Sequence, residues 1–384
     1  MLRIGKITLD GYFNYGNRLQ NYALQSFLEN YADQVDVLWH LAPETFSICM
    51  EDWKWERRMR YACIGKKFER KINEWMHDAI RHYRFKQFDD RYVRTRYISL
   101  ELEKSSIVED YDYFIVGSDQ VWNFSWSMDV RKDMDKYFLT FAPKQKRIAY
   151  AASFGVSDIP ENFKVSFAER LNNMAAISVR EKRGAEIVKE LTGKDVPVLV
   201  DPTLLLSARE WEAVNRKPIW FDKTVGTNNY ILLYFLGELP RKVRDIIAKL
   251  SEEENLRIIE LMNEKNIDQY CTDPSEFLWL ISHATLIYTD SFHGTVFSIL
   301  NHKPFVVCDR EMKRKTNKMT SRIDTLLDLF HFTDRFGTED NQWSVSDPFQ
   351  VDFSEVESIL KREYQKSDRF IREALHLRKE RSSK

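Results

Sequence analysis

Short apolar runs alternate with longer helical patterns along nearly the whole chain, and this alternation restricts the fold more than any other feature. Strands separated by helix-length segments pair in parallel, because a crossover of that length returns the chain to run in the same direction. The runs fall into two series. The first is Ile4–Leu9, Val35–Trp39, Tyr113–Val116, Arg147–Ala151, Ala176–Val179 and Val196–Val200. The second is Tyr230–Phe235, Leu256–Glu260, Thr285–Tyr288 and Pro304–Val307. Between them lie Asp201-Pro202-Thr203-Leu204 and a polar loop near Lys223–Asn229, which places a boundary between Leu206 and Asn229. The expectation is an α/β protein of two doubly wound domains, residues 1–215 and 216–384, facing each other across a cleft. A length of 384 residues, beyond one ordinary core, agrees with two domains. The stretch from Asp352 to Lys384 is highly charged and reads as one or two solvated helices of the second domain.

Composition then narrows the class. Hydrophobic residues are 43% and charged residues 30%, as in a soluble globular protein. The net charge of −1 gives no whole-chain field for nucleic acid. The N-terminus MLRIGKITLDGYFN lacks an apolar core and a cleavage pattern, so no signal peptide is expected, and no stretch is long and apolar enough to span a bilayer. Cys49, Cys63, Cys271 and Cys308 are scattered and form no metal or disulfide pattern. These features point to the cytoplasm.

In open α/β sheets ligands bind at the carboxyl ends of strands. Four segments place polar groups there. In Tyr288-Thr289-Asp290-Ser291-Phe292-His293-Gly294-Thr295 a buried run turns into a helix. A helix N-terminus suits an anion, and a histidine carries a proton near neutral pH. Asp10-Gly11-Tyr12-Phe13-Asn14-Tyr15-Gly16-Asn17 opens another helix, with Asn17 reading either as a sugar-binding group or as a cap. It matches neither GxGxxG nor GxxxxGK[ST]. Gly117-Ser118-Asp119-Gln120-Val121-Trp122-Asn123 offers hydroxyl-binding groups and a ring for stacking, or else a cap and a core tryptophan. Arg180 offers a fork for carboxylate or phosphate, or a surface ion pair with Glu181. The basic run Lys313, Arg314, Lys315, Lys318, Ser321, Arg322 closes on a phosphate or is a solvated charge run. From Trp53 to Tyr97 there are fourteen Lys/Arg against six Asp/Glu, with interleaved aromatics. This reads as a surface for an anionic membrane or a lipid-phosphate acceptor, or as a helical insertion packed on its own domain.

Taken together, NYGNRLQNYAL, DYFIVGSDQVWN, ISVREKRG, VDPTLLL and TDSFHGTVFSILNHKPFVV resemble the polysaccharide pyruvyl transferase family, in order and over nearly the whole chain. The resemblance implies two Rossmann-like domains in a GT-B-like arrangement. It implies transfer of a pyruvyl group from phosphoenolpyruvate, as donor substrate, to two hydroxyls of one sugar in a capsule or exopolysaccharide precursor. No nicotinamide and no metal site are implied. His293 matches the active-site histidine and Arg180 the anion-binding arginine. Asp119 and Asp290 are candidate bases. Ser291, Gly294, Thr295, Ser321 and Arg322 fall on the donor side; Asn14, Tyr15, Gly16, Asn17, Ser118, Gln120, Trp122 and Asn123 fall on the acceptor side. Many members carry an arginine two residues before that histidine or beside it; here the turn reads Ser291-Phe292-His293, so either another cation such as Arg322 serves or donor binding differs. The acceptor is a sugar or a lipid-linked oligosaccharide, which would bring the protein to the inner face of the membrane. The residues alone also fit a GT-B glycosyltransferase using a sugar nucleotide, or a non-catalytic saccharide-binding protein.

Overall fold

In the computed structural model the two series of apolar runs form two separate sheets, and every strand pairing in them is parallel. The structure describes residues 1–39, 66–98, 106–124, 130–226, 229–309 and 321–377, apart from 340, 342, 344 and 346. The first sheet contains β1 (Arg3–Ile7), β2 (Gln34–Trp39), β3 (Thr95–Tyr97), β4 (Tyr113–Val116), β5 (Arg147–Ala152) and β6 (Ala176–Val179), in the order β3-β2-β1-β4-β5-β6. The second contains β7 (Tyr230–Tyr234), β8 (Arg257–Leu261), β9 (Leu286–Thr289), β10 (Phe305–Cys308) and β11 (Phe336–Gly337), in the order β11-β10-β9-β7-β8. Central strands such as β7 and β9 are buried at every residue, because helices cover both faces of a parallel sheet.

Seven helices shape the site and tie the two sheets together. They are α1 (Tyr15–Leu28), α2 (Lys66–Tyr92), α3 (Lys182–Thr192), α4 (Pro274–His283), α5 (Phe292–Leu300), α6 (Ser321–Phe330) and α7 (Val356–Ala374). Strand order reverses between β1 and β4 in the first sheet and between β7 and β9 in the second. Crevices open at the carboxyl ends of strands at such reversals. The loop into α1 and the loop after β4 flank the first, and the loop after β7 and the turn into α5 flank the second.

Three expectations need correction. Val196–Val200 does not form a strand; Val198 makes a single bridge to Val179, because Pro197 has no N–H to continue the ladder. The highly charged C-terminal stretch is not a solvated part of the second domain alone. The inner face of α7, with Ile359, Glu363, Ser367 and Ile371, is buried, and it returns to the first domain. There Tyr31 donates to Asp368 at 2.7 Å and Tyr150 donates to Ser367 at 3.0 Å.

The third concerns the basic aromatic insertion. Residues 53–65 lie outside the described residues. Of the described part, Arg81 and Arg84 do not face solvent as a membrane-binding cluster but reach into the second domain. Arg81 is fully buried; it donates to the Phe13 carbonyl and the Tyr15 hydroxyl, both at 3.0 Å, and to the Tyr270 carbonyl. Arg84 lies 2.6 Å from Glu276 and donates to the Cys271 carbonyl at 2.8 Å. On its other side α2 is pinned to α1 by the buried Arg18–Asp89 pair at 2.7 Å. Long cationic stems bury well when the head finds carbonyls and carboxylates, which is the situation here.

Candidate functional site

His293 stands in the first turn of α5, directly after β9. The turn holds it rigidly. Thr289 donates to the Tyr234 carbonyl at 2.6 Å and accepts from the Ser291 amide at 3.0 Å. Ser291 caps α5 by accepting from the Gly294 amide, and the Thr295 hydroxyl donates to the Ser291 carbonyl at 3.1 Å. Gly294 allows this tight fold, since a Cβ there would collide with Thr289. The Asp290 carboxylate accepts from the amides of Leu236 and Gly237 at 2.7 and 2.8 Å, tying the turn to the loop after β7. Asp290 is therefore a brace across the second crevice rather than a base. Ser291, Gly294 and Thr295 likewise build the turn instead of offering polar groups to a donor.

The first domain meets His293 at Gly16. A Cβ at residue 16 would fall inside the imidazole ring, so this glycine is needed for clearance. Asn14 caps α1 by accepting from the Asn17 amide at 3.2 Å. Tyr15 is buried, stacked on Phe277 with centroids 4.3 Å apart, and its hydroxyl donates to the Thr272 carbonyl at 3.0 Å. It joins the two domains and is not free to hold a sugar. Asn17 donates to Asp119 at 3.0 Å and so sets the orientation of that carboxylate.

The loop after β4 shows the same division. Trp122 is a core residue: it is 2% exposed, stacks on Phe138 at 5.1 Å, and donates its indole N–H to the Tyr137 carbonyl at 3.1 Å. That rules out ring stacking on a sugar. Ser118 is also fully buried, donating to the Ala151 carbonyl at 2.8 Å and to Asp201 at 3.2 Å. Asp119 follows with a φ of 69°, in the left-handed region that Asp tolerates better than most residues. Gln120 and Asn123 are paired at 2.7 Å. Turned so that its oxygen faces Arg322, the Gln120 carboxamide accepts from both guanidinium Nη atoms at 2.9 Å. Arg322, from α6, therefore reaches the first-domain loop.

Arg180 emerges at the end of β6. Its guanidinium lies 2.6 Å from Asp201, 3.5 Å from Asp119, and over the Phe292 ring at 4.7 Å. Burial works against its charge, but Asp201, Asp119 and Glu181 outweigh that and raise its pKa. Burial would also raise the pKa of Asp119; Arg180, His293, Asn17 and Arg322 more than offset it and hold the carboxyl below its ordinary value. Asp201 behaves alike: burial opposes its charge, while His293, Arg180 and Thr203 keep it far below the usual carboxylate range. Both acids are anions at neutral pH. Beside Arg180 a cavity of about 360 Å³ is lined by Arg180, Lys182, Arg322 and Lys366, by the carboxylates Asp201, Asp328 and Glu363, and by an aliphatic wall that includes Leu326. It joins charged groups of both signs to an apolar floor, and His293, outside that lining, has its Nε2 3.6 Å from the Asp201 oxygen.

The structure thus gathers His293, Arg180, Asp119, Gln120, Asn123 and Arg322 along one seam between the domains. It leaves Tyr15, Ser118, Trp122, Asp290, Ser291 and Thr295 as supports. Ser321 begins α6, and the basic run before it, residues 310–320, lies outside the described residues. Reading the sequence missed Asp201. The available signal was its place: a carboxylate at the carboxyl end of an apolar run, like the other polar segments.

The family model for polysaccharide pyruvyl transferase matches residues 14–311. No curated protein matches the sequence. Among solved structures, HepE from Anabaena in complex with UDP shares 10% identity at a TM-score of 0.44, over 98% of this chain and 100% of that one. The UDP-N-acetylglucosamine 2-epimerase from Rickettsia bellii shares 9% at a TM-score of 0.48, over 98% and 97%.

Proposed function

Because the chain belongs to the polysaccharide pyruvyl transferase family, we propose that it moves a pyruvyl group from phosphoenolpyruvate to two hydroxyls of one sugar in a capsular or exopolysaccharide precursor. One observation carries the reading: Arg180, Arg322 and His293, from three separate elements, share one buried seam, and the two arginines also line the adjoining cavity. Phosphoenolpyruvate carries a carboxylate and a phosphate, and guanidinium forks match both.

The chemistry assigns each group a task. His293 gives a proton to C3 of the donor, which leaves C2 electron-poor. A first sugar hydroxyl oxygen bonds to C2. The C2–O bond to phosphate then breaks, phosphate leaves with the bonding pair, and a second hydroxyl oxygen closes the ketal. Each hydroxyl gives up its proton; one proton restores His293 and the other departs with phosphate. Arg180 and Arg322 balance charge on the carboxylate and the leaving phosphate. Asp119, held as an anion and oriented by Asn17, accepts a hydrogen bond from an attacking hydroxyl and fixes its direction. Gln120 and Asn123 complete that side.

If the acceptor is lipid-linked, the protein works at the inner membrane face. That position is supported by the outer face of α2, where Trp75, Met76, Ile80 and Tyr83 are exposed. No helix among the described residues is long and apolar enough to cross a membrane. The test is incubation of a lipid-linked glycan with phosphoenolpyruvate, read by mass spectrometry for the added pyruvate mass and by release of inorganic phosphate. Parallel incubation with sugar nucleotides tests the glycosyltransferase alternative. Product only from sugar nucleotides would overturn the pyruvyl reading.

A further inference from the structure

Asp201 lies just after the 196–200 run, and its side chain is fully buried. Its two oxygens do different things. Oδ1 accepts from the Thr203 amide at 3.0 Å and from the Thr203 hydroxyl at 2.7 Å, which fixes the orientation of the carboxylate. Oδ2 then faces three groups: Arg180 at 2.6 Å, the Ser118 hydroxyl at 3.2 Å and His293 Nε2 at 3.6 Å. A single oxygen therefore sits between the donor-binding cation and the acid.

We propose that Asp201 is a positioning residue: its carboxylate, fixed by Thr203, is the counter-ion that sets the place of the His293 imidazole beside Arg180. The inference rests on the pyruvyl-transfer reading of the site. The charges around the imidazole show why a counter-ion is needed. Arg180 from the end of β6 and Arg322 from α6 both oppose a charged imidazole. Asp290, on the turn of His293 itself, spends its carboxylate on the Leu236 and Gly237 amides. Asp119, from the loop after β4, is shared with Asn17 and Arg180. Among the described residues, Asp201 is the carboxylate within ion-pair distance of His293. Asp201 is too weak a base to take a hydroxyl proton: burial opposes its charge, but His293, Arg180 and Thr203 outweigh that and leave the carboxylate with little affinity for a proton. Its position is also set independently of the donor, since Oδ1 is committed to its own turn.

The test uses Asp201→Asn in the full chain. Asparagine keeps an oxygen for Thr203 but turns an amide toward Arg180 and His293. The expected result is a kcat lowered about 10–100-fold with a smaller change in donor KM, less than the roughly 10²–10⁴-fold scale of losing the acid itself. The alkaline limb of the turnover profile should move to lower pH by about one unit, a tenfold change in proton affinity. The His293 resonance of ¹⁵N-labelled protein should titrate at correspondingly lower pH. That measurement needs no turnover. A moved resonance in a wild-type background that consumes no phosphoenolpyruvate would sink the pyruvyl reading and leave this inference standing. Arg180→Gln serves if the Asp201 variant does not fold: the same oxygen then faces the imidazole alone, and the resonance should titrate at higher pH. An unmoved resonance in folded Asp201→Asn, or in Arg180→Gln, overturns the role given to Asp201.

Discussion

The loop after β4 and the turn after β9 hold matching places, each at the reversal point of its sheet, yet they spend their polar groups in opposite ways. In the β9 turn, Asp290, Ser291 and Thr295 all bond to backbone within or beside the turn, and His293 is the side chain left to face the other domain. In the β4 loop, Asp119 and Gln120 reach outward to Asn17, Arg180 and Arg322 on three other elements. One turn is a rigid mount for a single imidazole. The other is a junction where several elements meet. A motif dense in polar residues can thus be dense because the turn is hard to build, and its chemistry can rest on one residue.

The contrast is tested most severely at the mounted residue. His293→Ala should lower turnover by about 10²–10⁴-fold in a protein with an unchanged melting profile, the scale for losing general acid catalysis. Near-normal steady-state turnover would remove the single-imidazole account. Gly16→Ala comes next: its Cβ needs the space of the ring, so the imidazole must shift, and displacement of about 1 Å costs on the order of 10²-fold. A high-resolution structure of that variant should show His293 moved. At the junction, Arg180→Lys keeps the charge and loses the fork. Donor KM should rise roughly tenfold, since one charge-assisted hydrogen bond contributes about 1.5–3 kcal/mol. Unchanged donor kinetics would leave Arg180 a structural ion-pair residue.

Smaller effects separate the mount from the junction. Ser291→Ala removes a helix cap and should cost about 0.5–2 kcal/mol of stability, seen in denaturant titration, with donor KM little affected. A large KM change with stability intact would return Ser291 to the donor side. The smallest test is acid. Asp119 and Asp201 have folded pKa values below the unfolded value of about 3.9. Their contribution to stability is therefore complete above that value and is lost as pH falls through the folded values. Wild type should lose Tm more steeply than Asp119→Asn between about pH 4 and pH 2. Parallel curves would show that Asp119 gains no net stabilisation from the junction.

The fold was legible because period and spacing are local properties. Apolar runs such as Tyr230–Phe235 and Thr285–Tyr288 announce buried strands, and the segments between them are helix-length. What escaped was short or non-local. β3 and β11 are three and two residues long and lie at sheet edges, too brief to show a pattern. Trp122 reads either as a stacking ring or as a core tryptophan, and Tyr15 falls on the acceptor side by resemblance, because a sequence gives no account of what covers a ring. Arg180 and His293 stand out in the sequence by their position after a strand, and Arg322 as a nearby cation; the structure places all three at one seam. Asp201 was missed because its partners lie far along the chain: Ser118, Arg180 and His293 come together only after folding.

The course of α2 has a consequence for how this molecule comes apart. Arg18–Asp89 anchors the helix to one sheet's layer, while Arg81 and Arg84 lodge among carbonyls and Glu276 of the other. Separating the halves would break these bonds together and expose the apolar surface packed around them to water. The return of α7 adds a second tie. Partial melting of one half is therefore unfavourable, and the protein should lose both sheets in a single calorimetric transition.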